Sequence, residues 1–131
     1  MTNQQSITGV WEMHAPDAPF PWHMMTFTPF GTFMQSNPPS GNRDESDSSG
    51  YGVWEQVGDE DGKPVVAAKF VEMKADLSTG VYIGKGVIEL RITVHGDHFE
   101  GISNAFRYDA SGKLLRGPLP SPVRATRVVL D

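Results

Sequence analysis

Cysteine is absent from the 131 residues, which excludes a disulfide frame, a thiolate metal site and a thiol nucleophile. Positive charge is short as well. Eleven Lys and Arg stand against sixteen Asp and Glu, a formal net charge of −5. A protein that works by neutralising phosphates carries the opposite sign, so nucleic acid is not an expected partner. No apolar run approaches the roughly 18 residues of a membrane span. The stretch Met1 to Ser6 lacks the basic and apolar regions of a signal peptide, so no membrane association is expected and the cytoplasm is the expected location. No segment of about ten residues or more carries a helical apolar stripe. A phosphate loop, a nucleotide fingerprint, a nucleophile elbow and a metalloprotease helix are missing too, and no cofactor is expected.

What the chain does have is strand. Val81 to Asp109 reads as two long strands folded through the turn His95-Gly96-Asp97. Ile88, Leu90, Ile92 and Val94 alternate with Glu89, Arg91 and Thr93, the two-residue period of a half-buried strand. On the return strand Ile102, Phe106 and Tyr108 fall on one face, with Asn104 among them. Shorter strands flank this hairpin: Ile7 to His14, His23 to Thr28, Thr32 to Ser36, Tyr51 to Val57, Pro64 to Lys74, Lys113 to Arg116 and Val123 to Leu130. Ala15 to Trp22 holds three prolines and reads as a loop. Asn37 to Gly50 reads as a mobile surface loop that orders over a ligand, Gly58 to Gly62 as a turn, and Pro118 to Pro122 as a bend. The pattern predicts an all-β fold over residues 1–131: a single antiparallel up-and-down barrel of about eight or nine strands with little or no helix.

Gly-Val-Trp-Glu occurs twice, at Gly9 to Glu12 and Gly52 to Glu55. The two copies would run in opposite directions in such a barrel. Each tryptophan is therefore expected to seal part of the core where a glycine permits close approach, rather than to mark a duplication.

A Gly-x-Trp strand near the N-terminus, an antiparallel meander and a last strand with an arginine (Ala125-Thr126-Arg127-Val128) resemble the lipocalin-like, or calycin, barrels. The family's terminal helix and secretion signal have no counterpart here. The resemblance implies a barrel with an apolar ligand cavity and a tryptophan near its closed end, with Trp11 in that position and Arg127 as its partner. Small barrels of this shape include cofactor-free cyclases and isomerases.

Tracing the meander places Ala15 to Trp22, Asn37 to Gly50, Asp76 to Gly80 and Asp109 to Gly112 at one end, and only tight turns at the other. Ligand sites favour barrel mouths and long loops, so the first end is the candidate site. Strand period puts His23 on the same face as Met25 and Phe27, near that mouth. It is the first choice for an acid or base, the alternative being a solvated ring or one satisfied by a loop carbonyl. Glu72 and Tyr108 complete the candidate catalytic set, a buried carboxyl having its neutral form favoured. Trp22, Met25, Phe27, Tyr82, Leu90, Ile102, Asn104 and Phe106 are the candidate substrate contacts. A metal set of His14, His23 and Asp17 fails because the two histidines fall on opposite faces. Three functions follow: a cofactor-independent isomerase or cyclase acting on an apolar small molecule, a non-catalytic carrier or sensor of such a molecule, and a filled barrel that binds another protein or forms a homodimer.

Overall fold

The computed structural model describes residues 6–38 and 45–130. Their nine strands are β1 (Gly9–His14), β2 (Trp22–Phe27), β3 (Thr32–Gln35), β4 (Glu45–Asp47), β5 (Gly50–Glu60), β6 (Lys63–Asp76), β7 (Tyr82–His95), β8 (His98–Tyr108) and β9 (Leu114–Arg127). All pairings are antiparallel. With β4 set aside, chain neighbours pair in turn, β3 joining β5, β9 returns to β1, and β6–β7 completes the circle, closing eight strands into an up-and-down barrel. No helix occurs among the described residues, and none is therefore long and apolar enough to cross a membrane. β4 lies within the stretch read as a loop. It pairs with Lys74 to Asp76 of β6, beyond the part of β6 that β5 covers. Residues 39–44, the centre of that stretch, lie outside the described residues.

Turn chemistry fixes the register. The β7–β8 hairpin turns on Gly96 at φ +65°, a glycine at the first central position of a two-residue loop. The β5–β6 hairpin turns on Asp61 (φ +53°) and Gly62 (φ +80°), the pair of positive values that a type I′ turn requires. This turn needs only two residues, so β5 runs on to Glu60 rather than stopping at Val57. β9 also runs through the expected bend at Pro118 to Pro122. The amide of Arg127 points to the β8 side, at Asp97, and that of Val128 to the β1 side, at Val10. Pro120 and Pro122 share the parity of Val128, so their missing donors face away from β8. On that side β9 has no partner before Arg124, and the prolines cost no ladder bond.

The core fills the end where β1 begins. Trp11, Phe27, Phe33 and Phe99 are fully buried. Phe27 stacks on Phe33 at 4.6 Å, and Trp11 meets Phe99 at 4.9 Å. The guanidinium carbon of Arg127 lies 4.3 Å from the Trp11 ring centre. The same group donates to the carbonyls of Thr8 (2.7 Å), Ser6 (2.7 Å) and Gly96 (3.0 Å) and to Asp97 (2.9 Å), which ties three chain segments across this end. Each repeated glycine serves its tryptophan strand differently. A Cβ on Gly52 would fall 2.2 Å from the Lys69 carbonyl oxygen, whereas Gly9 takes φ +131° beside Arg127.

The inner face of β8 is the opposite of the expected one. Leu90, Ile92 and Val94 of β7 are in the core, and their partners across the ladder are Ser103, Gly101 and Phe99. Directly paired residues share a face. Phe99, Gly101, Ser103, Ala105 and Arg107 therefore point inward, and Ile102, Asn104, Phe106 and Tyr108 take the outer parity.

Candidate functional site

At the other end the barrel is open. A cavity of about 510 Å³ lies between the Ala15 to Pro21 loop, Asn37 and Pro38, and the upper halves of β6 to β9. Met13, Phe70, Leu90 and Val123 form its apolar part, while small inward residues on β8, Ser103 and Ala105, leave it hollow. A wider depression on the outer face of β5 to β8 has no buried ionisable residue. The chemistry is concentrated in the interior.

β6 alternates strictly, with Val66, Ala68, Phe70, Glu72 and Lys74 all buried. The last two inward positions thus carry opposite charges into the barrel. Gly86, opposite Glu72 on β7, makes room for them: a Cβ there would lie 3.1 Å from Lys74 Cε and 3.2 Å from Glu72 Oε1. Lys74 Nζ lies 2.8 Å from Asp47, 3.4 Å from Glu72 and 3.5 Å from Glu45. Arg107 Nη1 holds both oxygens of Glu45. β4 is thus docked onto β6 by its charges as well as by its ladder.

Three carboxylates share two cations. Arg107 takes Glu45 and Lys74 takes Asp47 at the shortest distance, so Glu72 is the surplus anion. Burial pushes its carboxyl above the usual value of 4.5, against the lowering by the Lys74 charge, while the Asp47 charge raises it further. Burial also acts to lower Lys74, but its hydrogen bond to Asp47 and the charges of Glu72, Asp47 and Glu45 prevail. The ammonium is held above 10.5. A proton on Glu72 makes the five-residue cluster electrically neutral.

Glu72 also begins a chain of side-chain contacts. Asn37 Nδ2 lies 2.6 Å from Glu72 Oε2, Gln35 Nε2 lies 3.0 Å from Asn37 Oδ1, and the same nitrogen lies 2.5 Å from His23 Nδ1. Two polarities are open to this chain. With Glu72 ionised, Asn37 donates to it and to the Ser48 carbonyl at 3.0 Å, and Gln35 donates to Asn37 and His23. With Glu72 protonated, both amides turn: Glu72 donates to Asn37, Asn37 donates to Gln35 Oε1, and His23 Nδ1–H donates to Gln35 and to the Ser36 carbonyl, 3.0 Å away, while the Ser48 carbonyl loses the Asn37 donor. The second polarity places Gln35 Oε1 between two donors and leaves Gln35 Nε2 in the buried position that has no partner in either polarity. It pairs an acid, Glu72, with a histidine whose Nε2 carries the free lone pair.

Of the catalytic and substrate-contact candidates, His23, Glu72 and Leu90 line this cavity, and Phe106, on the outer parity of β8, touches its edge. The others do not. Met25 and Phe27 point inward but are sealed in the packed core below it. Trp22 is 56% exposed and packs on His14, at 4.5 Å on the outer face. Tyr82 and Ile102 are also exposed, and Asn104 sits on the outer face. Tyr108 is on the outer parity with Lys85 Nζ 5.6 Å from its ring centre, away from any role beside Glu72. Lys74, Arg107, Asp47, Gln35 and Asn37 were not anticipated. A signal for the first existed, since Glu72 and Lys74 are two residues apart and so share a face on any strand.

The fold and site define a closed eight-stranded barrel with an end-on cavity that is apolar below and ionic at the rim. Comparisons with protein-family models, curated proteins and solved structures return no match.

Proposed function

We propose that this barrel is a cofactor-independent isomerase or cyclase for a small molecule with a largely apolar body, with Glu72 as general acid and His23 as general base. The observation that carries the reading is the surplus carboxyl of Glu72, which burial favours in its neutral form at the wall of a cavity. Isomerisation needs one proton given and one taken, and the chain through Asn37 and Gln35 links a protonated Glu72 to a histidine with its Nε2 lone pair free. The apolar floor would hold the substrate in a reactive shape while the rim supplies polar contacts. The Trp11 and Arg127 contact at the closed end supports a likeness to lipocalin-like barrels, and the same cavity would serve a carrier equally well.

The test begins with a ligand screen by thermal shift, followed by chromatography of each hit for a product of unchanged mass. Glu72→Gln should lower conversion by roughly 10²- to 10⁴-fold with affinity little changed. The rate with wild-type protein should fall as pH rises through the raised value of Glu72. Ligands that bind and emerge unaltered would establish the carrier reading instead.

A further inference from the structure

We infer that the cavity takes a ligand with an anionic head group, a carboxylate, which Arg116 receives at the rim beside Arg107. The inference rests on reading the cavity as a ligand site. Arg107 of β8 and Arg116 of β9 are direct partners in the ladder, and both line the cavity. Like charges directly opposite each other on one face destabilise a sheet unless an anion lies between them. Arg107 has its counterion in Glu45, whereas Arg116 forms no ion pair with any described residue. Arg107 Nε is buried without a hydrogen-bond partner among the described residues and is closed to the cavity, so the accessible donors of the pair are those of the exposed Arg116.

The remaining rim charges do not answer Arg116. Glu45, Asp47 and Glu72 are shared between Lys74 and Arg107. Asp17, on the loop across the mouth, accepts from the Ser121 hydroxyl at 3.0 Å. A planar carboxylate offers two acceptors to the fork of a guanidinium, which is the geometry that Arg recognises best. The apolar floor lies deeper in the same cavity. The ligand class is therefore a medium-chain organic acid, bound with its chain inward and its carboxylate at the rim.

A dansyl-labelled medium-chain fatty acid and its primary amide are suitable probes, titrated by fluorescence against the whole chain. The acid should bind about tenfold more tightly than the amide, and its advantage should shrink as salt is added. Arg116→Gln should remove most of that advantage and leave the amide unchanged. Arg116 is exposed, so this variant keeps the fold. Equal affinity for the two probes, or an acid affinity that Arg116→Gln does not alter, would overturn the anionic head group and leave the cavity reading standing. If neither probe binds, both readings fall together.

Discussion

Replacing Lys74 with Met keeps the length and apolar stem of the side chain and removes one charge from the cluster at the open end. Asp47 and Glu72 then lose their cation, while Glu45 retains Arg107. The side chains of Glu45, Asp47 and Glu72 are only 15%, 12% and 10% exposed, so water from the cavity replaces the ammonium only in part. Removing one member of a buried ion pair typically costs about 3–5 kcal/mol, because the remaining charge stays buried. With a urea slope of about 2 kcal/mol per M, the unfolding midpoint at pH 8 should fall by roughly 1.5–2.5 M.

The loss should also depend on pH in a definite direction. Without the ammonium, whose charge opposes the effect of burial, the Glu72 carboxyl is raised further above its unfolded value. A carboxyl raised in the folded state takes up its proton there first, so stability falls as pH rises from the unfolded value through the folded one. The variant should therefore recover much of the deficit near pH 5. In the wild type, the held-up Lys74 contributes its full stability below 10.5 and loses it only as pH rises through its higher folded value. Urea titrations followed by tryptophan fluorescence at two pH values measure both effects. A loss below about 1 kcal/mol that is the same at both would refute the argument, since that is the behaviour of a solvated surface pair.

Three further substitutions test the frame that carries the site. Gly52→Ala should cost about 3 kcal/mol, because its Cβ would meet the Lys69 carbonyl at 2.2 Å and the Phe33 ring at 2.6 Å. Gly62→Ala, with no atom within 4 Å and only a positive φ to accommodate, should cost about 1 kcal/mol; comparable losses in the two variants would show that the close approach at Gly52 is not rigid. Arg127→Gln should lower stability by about 2–4 kcal/mol through lost charge-assisted bonds to three carbonyls and Asp97. Thermal denaturation of the purified variant measures it, and an unchanged midpoint would mean that the closed end is held by packing alone.

The barrel was legible because alternation in β7 and the turn residues at Gly31, Gly62, Gly96 and Gly112 mark four of its seven reversals, and the stretches Ala15 to Pro21, 36–49 and Leu77 to Val81 mark the others. Tracing up and down from them locates the open end. Face assignment was less legible wherever apolar residues lie on both sides of a strand. In β8 the outward Ile102 and Phe106 are larger and more apolar than the inward Ser103 and Ala105. Hydrophobicity therefore points to the wrong face, and only the ladder to β7 corrects it. In β6 the outward Val65, Val71 and Met73 blur an alternation that burial shows to be strict. The ion cluster joins β4, β6 and β8, and a charge at such a distance in sequence leaves no local trace. The prolines of β9 read as a break in the strand because a single sequence does not say which edge of a strand is open.

The two ends of the barrel divide stability and chemistry, and Glu72→Gln separates them. Arg127 at the closed end bonds three carbonyls and Asp97, whereas the cluster of Glu45, Asp47, Glu72, Lys74 and Arg107 at the open end keeps one carboxylate more than its own cations neutralise. Glu72 raises the folded state's affinity for a proton, so it withdraws stability as pH rises above 4.5 through its folded value. Gln has the same shape, accepts from Asn37 as the carboxylate does, and leaves Lys74 with Asp47 and Glu45. Each pKa unit by which burial raises Glu72 corresponds to about 1.4 kcal/mol. The variant should therefore be more stable than the wild type at pH 8 and equal to it below pH 4.5, while losing turnover. A gain in stability coupled to a loss of reaction is the expected mark of a group retained for chemistry at the expense of the fold. Destabilisation at pH 8 would mean that Lys74 needs the Glu72 charge, and the carboxyl would then be a structural partner rather than a source of protons.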